Sequence, residues 1–279
     1  VRLLAIAAAG LLLCATAAFA PGVHAMGGTE SLGSRSSVSV SQDLPEHRSD
    51  ESRSEASRAD TAIVRALIAR LSDDDAEVRR AAADALGRIG HPMAIESLVR
   101  ALDDEDREVK RAALHALGDF ERAPIPVAPI RKVLASEDAD SRAQAVRMLG
   151  EMRDRASIPA ISRLVLDASE DVRQSALHAL NELEAPISDD LLATALADRS
   201  SDVRLAAVEL AGERQVLSAV PALARLLDDR SSEVREMAAH GLTEMRTEAA
   251  HTALRRALTH KDPNVRRVAV EYFGEMADK

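Results

Sequence analysis

Seven basic residues recur in this chain at a nearly fixed spacing: Arg79, Lys110, Arg142, Arg173, Arg204, Arg235 and Arg266 stand 31, 32, 31, 31, 31 and 31 residues apart. Two residues before each stands an acid, except in the last unit, where Asn264 takes that place. A row of cations at one register suggests electrostatic capture of an acidic ligand, but the helical period argues for another use. With the basic residue as position 0 and about 100° of rotation per residue, it falls between positions +4 and +7, inside the apolar arc of the helix that follows. A cation pointing inward requires a partner. Asp73, Asp104, Asp167, Asp198 and Asp229, six residues before the basic residue in five units, supply one. The spacing predicts an internal Arg–Asp ladder between successive units.

The outward rows carry the remaining chemistry. Position +5 reads Asp84, His115, Arg147, His178, Glu209, His240 and Glu271, and position +9 reads Arg88, Asp119, Glu151, Glu182, Glu213, Glu244 and Glu275. Most of the +9 row is acidic near helix C-termini, where the helix dipole disfavours negative charge, so propensity does not account for it. The candidate partner-binding residues are therefore His115, Arg147, Glu151, His178, Glu182, Glu209, Glu213, His240 and Glu244. The competing reading is a solvated acidic face with Arg153, Arg214 and Arg246 as counter-charges. The three histidines occupy alternate units. Helices packed about 8–10 Å apart put these rings roughly 20 Å from one another, too far to share a metal, and no metal or cofactor site is expected. The chain contains no His-Glu-x-x-His, no paired cysteines, no phosphate-cradling Gly-rich loop and no Gly-x-Ser-x-Gly. No enzymatic chemistry is expected on that pattern.

The elements that position these rows can be read from the same register. Position −4 is Asp75, Asp106, Asp138, Ser169, Ser200, Ser231 and Asp262, each a residue whose side chain can accept from first-turn amides. Pro263 takes the first helical position of the last unit, where its missing N–H costs nothing. Position +3 is Ala in all seven units, from Ala82 to Ala269, and +4, +7 and usually +10 are apolar. That pattern predicts an amphipathic helix of about four turns with a close contact at +3. Glycines at +8 (Gly87, Gly118, Gly150, Gly212 and Gly274) precede the last apolar position and read as packing sites rather than helix stops. Upstream lie shorter apolar-periodic segments, such as 94–102 and 219–227, with Pro126, Pro159 and Pro221 near the starts of three of them. Each reads as a first helix. Seven helical hairpins are expected from about residue 60 to 279, an all-α solenoid, because a unit of this size buries its apolar face only by stacking.

Composition agrees. The chain has no Trp, one Tyr and three Phe, which suits thin layers of Ala and Leu between neighbours better than one large core. A net charge of −10 is the wrong sign for sequence-blind nucleic-acid binding. At the N-terminus, Arg2 is followed by an uncharged run from Leu3 to Ala20 and small residues at Val23-His24-Ala25. Residues 1–25 read as a signal peptide cleaved between Ala25 and Met26, giving a periplasmic or secreted protein. The alternative is a retained membrane anchor, since about 18 apolar residues is the lower limit for a span; it keeps the solenoid outside the cytoplasm. Cys14, the single cysteine, lies inside that run, so cleavage would leave no disulfide. Residues 26–59 contain ten serines and little that is apolar, and read as a disordered tether.

The line Ala85-Leu86-Gly87-Arg88-Ile89-Gly90-His91-Pro92-Met93-Ala94-Ile95, with the acidic-Val-Arg turn that opens each helix, resembles the HEAT-like repeats shared with phycobilin lyase subunits. The resemblance covers residues 60–279. It implies a right-handed, armadillo-like α-solenoid whose second helices line the concave side, which would carry the +5 and +9 rows. It implies less about activity, since the family includes scaffolds, adaptors, regulatory subunits and a few chromophore-attaching enzymes. The reading is an exported, non-enzymatic interaction module or scaffold that holds a protein or peptide partner on the acidic concave face, with no nucleic acid. Its alternatives are the extracytoplasmic scaffold or sensor part of a membrane-anchored envelope protein, and a phycobilin-lyase-like enzyme subunit. At +2 and +6 of the last unit, Val268 and Tyr272 replace mostly small residues. They are read either as an apolar end patch for self-association through the C-terminal repeat or, for Tyr272, as a lid.

Overall fold

The computed structural model describes residues 61–120 and 124–277. The leader and serine-rich tether expected over 1–25 and 26–59 lie outside the described residues. Within them the chain forms seven consecutive helical pairs and no strand. They are α1 (61–70) with α2 (Ala76–Ile89), α3 (Ile95–Ala101) with α4 (Arg107–Gly118), and α5 (Val127–Val133) with α6 (Ala139–Glu151). Then come α7 (Ile158–Leu164) with α8 (Glu170–Glu182), α9 (Asp189–Leu196) with α10 (Ser201–Glu213), α11 (Val220–Leu226) with α12 (Ser232–Met245), and α13 (Glu248–Ala257) with α14 (Pro263–Ala277). Among the described residues no helix is long and apolar enough to cross a membrane.

The second helices pack closely against one another along the stack, whereas the first helices touch each other far less. The row of second helices is therefore the tighter side of the solenoid. Small residues make this approach possible. The +3 alanines are all buried, and a Cβ on Gly87 would lie 2.8 Å from the Cα of Ala116, one on Gly212 3.1 Å from that of Gly241. Gly87, Gly150 and Gly212 thus meet the +6 position of the next repeat, whereas Gly118 meets the side chain of Gln144, and α2 and α10 run on past their glycines. At five of the helix ends a left-handed residue follows at position +11. Gly90 (φ 65°) ends α2 in the left-handed region, and Arg153, Glu184, Gln215 and Arg246 occupy the equivalent place with φ between 46° and 52°. After three of these, the next amide returns five residues, as Asp154 does to Leu149, Ala185 to Leu180 and Val216 to Ala211. These bonds satisfy carbonyls left open at the helix end.

The ladder joins the repeats at the opposite end of the second helices. Arg173 shows the full rung. Its Nε and Nη2 donate to Asp198 Oδ2 and Oδ1 of the next repeat at 2.8 Å each, and Nη1 donates to the carbonyls of Asp167 and Ala168 in its own loop. Arg79 holds Asp104, Arg142 holds Asp167 and Arg204 holds Asp229 in the same way. Arg79, Arg173 and Arg204 are only 4–7% exposed, and five hydrogen-bonding sites in a planar fork suit a buried, fully paired cation.

The aspartate has a second task. Its Oδ1 accepts the amide of the cap residue two positions on, as from Ser169, Ser200 and Ser231. This corrects the expected capping: those three serine side chains make no cap bond, whereas Asp75, Asp106, Asp138 and Asp262 do accept from their first turns.

Two junctions depart from the rule, both where position −6 is not aspartate. At the sixth, where His260 replaces it, Arg235 reaches past to the cap carboxylate of Asp262. At the second, Ser136 replaces it and Lys110 replaces the arginine. Lys110 is exposed, contrary to the inward placement read for the whole row, and Asp138 is held instead by Arg107 and Arg111. A cavity of about 310 Å³ beside this junction is lined by residues including Leu102, Lys110, Leu114, Val133 and Ser136, and the intact Arg204–Asp229 rung borders a comparable one.

Burial pushes the carboxyls of Asp104, Asp167, Asp198 and Asp229 up, but the arginine and the cap amide together outweigh it and hold all four below the usual range. Asp262 is lowered chiefly by its bond from Arg235. Two outcomes follow. The folded values lie below the unfolded value of about 3.9, so the ladder's contribution is complete above about pH 5 and lost as pH falls through the folded values. The melting temperature measured by circular dichroism should stay level from neutral pH to about 5 and drop below about 4; a rise on acidification would contradict the ladder. Installing the missing rung with Lys110→Arg and Ser136→Asp together should raise the urea unfolding free energy by about 1 kcal/mol, and an unchanged midpoint would count against the interruption as a weak point.

Candidate functional site

The close approach of α10 and α12 at Gly212 and Gly241 brings the outward rows of two repeats together. Glu209 and Glu213 lie one turn apart on α10, and His240 and Glu244 one turn apart on α12, so all four project to one side of the helix pair. They line a cavity of about 430 Å³ whose floor is Val208, Met237 and the two glycines. Val208 is fully buried and Met237 half-buried. The α8 helix extends the group: Asn181 Nδ2 donates to Glu213 Oε2 at 2.6 Å, and His178 Nδ1 lies 3.9 Å from Glu209 Oε2. Glu213 is thus oriented by Asn181 and Glu209 faces His178, while Glu244 is exposed with no side-chain partner among the described residues.

The expected ridge is not one continuous surface. His115 and Arg147 belong to a different hollow of about 310 Å³, which they line with Arg111, Asp140, Asp171 and Ser175. There Arg147 donates to Ser175 Oγ at 3.2 Å and to Gln144 Oε1 at 2.6 Å, so this part is of mixed charge. Between the two hollows, Glu182 Oε2 lies over Gly150, only 2.6 Å from where a Cβ would stand, and Glu151 is exposed on the last residue of α6. Of the nine residues read as the partner surface, the structure thus gathers Glu209, Glu213, His240 and Glu244 with His178 beside them, sets His115 and Arg147 apart, and leaves Glu151 and Glu182 between. Among the described residues none of the expected counter-charges forms an ion pair with these acids. Arg214 donates to the carbonyls of Ala185 at 2.9 Å and Leu180 at 3.3 Å, while Arg153 and Arg246 are left-handed helix stops.

The floor is what the register missed. Met237 stands at +2, where four units carry Ala or Ser, and Gly241 at +6, and these two departures in one unit are the sequence signal of the floor. The last repeat also differs from expectation. Val268 is buried at 2% exposure, so it is not part of an exposed end patch. Tyr272 packs its ring 5.6 Å from that of His251 on α13 and 5.2 Å from that of Phe273, and burial, partly opposed by Arg246, holds its hydroxyl above its ordinary value.

Chemically, the α10–α12 groove offers three carboxylates and an imidazole around an apolar floor. A lysine or arginine side chain fits such a place, its stem on Val208 and Met237 and its head among the acids. Among the described residues no cluster of three or more His, Cys, Asp or Glu side chains is arranged to hold a metal ion.

A family model described as HEAT repeats matches residues 64–128, 127–210 and 188–274. No curated protein sequence matches the chain. Among solved structures, the Escherichia coli protein YibA superposes with a TM-score of 0.65 at 19% identity, covering 86% of this chain and 90% of YibA. An engineered protein superposes with a TM-score of 0.57 at 22% identity over 77% of this chain and 68% of its own. The CpcE–CpcF complex of phycocyanin lyase from Nostoc is 21% identical over 75% of this chain and 92% of its own, with a TM-score of 0.47. At these identities the likeness is one of fold.

Proposed function

The chain belongs to the HEAT-repeat proteins, and on that premise we propose that it is a non-enzymatic interaction module whose α10–α12 groove receives a basic side chain of a protein or peptide partner. HEAT and armadillo-like stacks commonly serve as interaction scaffolds, and their repeated units present long faces to a partner. The observation that carries the reading is the meeting of Glu209, Glu213, His240 and Glu244 over the floor of Val208 and Met237. Acids on an apolar base without an Arg or Lys partner are a poor choice for a merely solvated face and a good one for an amphipathic cation.

Magnitudes set the size of the partner. An exposed ion pair contributes about 0–1 kcal/mol, and micromolar affinity requires about 8 kcal/mol. One cation in one groove does not reach that figure. The partner therefore continues along the second-helix row, toward His178, Glu182 and Glu151 in one direction. The leader-like run from Leu3 to Ala20 supports a place outside the cytoplasm, with the stack released or membrane-held according to whether that run is removed.

Fluorescence anisotropy with a short Lys- and Arg-rich peptide and its Gln-substituted counterpart tests the site. The basic peptide should bind more tightly, and Glu209→Lys with Glu213→Lys and Glu244→Lys should weaken it by at least about tenfold, or ~1.4 kcal/mol. Equal binding of both peptides, or binding indifferent to the triple reversal at unchanged melting temperature, would overturn the assignment.

A further inference from the structure

The two ends of the described stack show the residues that every interior repeat buries against a neighbour. At position −1, Val109, Val172, Val203, Val234 and Val265 are 0% exposed, whereas Val78 in the first repeat is 37% exposed. At position +4 the interior residues, such as Leu177 and Val208, are fully buried, whereas Val270 in the last repeat is 58% exposed. One end presents the face that a preceding repeat would cover, and the other the face that a following repeat would cover.

The polar groups at these ends match in the same sense. Arg266 donates through Nη1 to the carbonyls of His260 and Lys261, as the other ladder arginines do within their own loops. The edge formed by its Nε and Nη2, which elsewhere grips an aspartate of the next repeat, has no acceptor among the described residues. Asp73 is the ladder aspartate of the first repeat and receives no incoming rung. It accepts the Asp75 amide at 3.2 Å and is otherwise held by Arg70 at 3.0 Å, in an exposed i,i+3 pair of the kind that contributes little. Sterically, a Cβ on Gly274 would meet nothing within 4 Å, whereas Gly87, Gly150 and Gly212 at the same register press on Ala116, Ala179 and Gly241. Ala85 holds that small +6 place in the first repeat and is only partly buried.

We propose that the outer face of α14 docks on the outer face of α1 and α2 of a second copy, continuing the solenoid head to tail through an Arg266–Asp73 rung and a Gly274–Ala85 contact. The positions that join interior repeats are complementary here: donor to acceptor, glycine to alanine, and valine to a face built for it. Because the two faces differ, the contact is heterologous and does not close on itself in a pair, so growth is open-ended. Val268 and Tyr272 take no part; the exposed Val270 does.

The full chain followed by sedimentation velocity across the micromolar range tests this, with Val78→Glu and Val270→Glu as blocks of one end each. Both valines are exposed, and unchanged melting temperatures verify the fold. The wild type should form species that lengthen with concentration, each variant alone should be a monomer, and their equimolar mixture should stop at a dimer, since only one junction remains intact. A wild type that stays monomeric throughout, or variants that associate like it, would overturn the proposal. So would a monomer in which residues 1–60 cross-link within the same copy to the face around Val270.

Discussion

An arginine buried at the start of a helix is tolerable only if something brings it a carboxylate and two carbonyls, and in this protein the repeat itself does so. Each rung ties together the loop that carries the arginine, the loop of the following repeat and, through the cap amide held by the same aspartate, the first turn of the following second helix. Removing the arginine therefore disturbs two loops and one helix start. The bond is strictly between neighbours, which is the condition under which a stack behaves as a one-dimensional chain of coupled units.

The rungs sit at the N-terminal ends of the second helices, and the glycine contacts sit near their C-terminal ends. Together they fix the distance between helices at both ends and leave the outward rows little freedom. Where both partners in the glycine contact are glycine, as at Gly212 and Gly241, the backbones of α10 and α12 meet directly, and Met237 lines the hollow beside them. The acidic groove is thus a by-product of how closely two repeats approach. The same logic explains why the other hollow, around His115 and Arg147, has a different character: Gly118 meets the side chain of Gln144 rather than a backbone.

Much of this was legible in the sequence because the important partners recur at fixed offsets. The arginine at 0 and the aspartate at −6 repeat with the period, so their pairing could be inferred without coordinates. The +8 glycines were legible for the same reason. What was hidden depends on single residues or on backbone. The helix stops fall on Arg153, Glu184, Gln215 and Arg246, whose types give no hint of a left-handed conformation. The serine caps were misread from residue type alone: Ser169, Ser200 and Ser231 make no cap bond, whereas Asp75 and Asp106, whose own amides are likewise held by an aspartate two residues earlier, do. Lys110 was read as pointing inward with the rest of its row, and only the structure shows that it and Ser136 are the two ends of one interrupted rung. Val268 was misplaced because its neighbour in space comes from within the stack, which a helical wheel for one repeat does not show.

The central claim is that the arginine row holds the repeats together. The most direct measurement is a double-mutant cycle on Arg173 and Asp198 in urea unfolding, with Arg173→Met, Asp198→Leu and both changes. Breaking a buried pair by removing one partner costs about 3–5 kcal/mol, and replacing both by apolar residues costs far less. The account predicts that Arg173→Met alone is destabilising on that scale, with a coupling between the two positions of at least about 1 kcal/mol. If Arg173→Met left the unfolding midpoint unchanged, or if the two substitutions were simply additive, the ladder would not be what joins one repeat to the next.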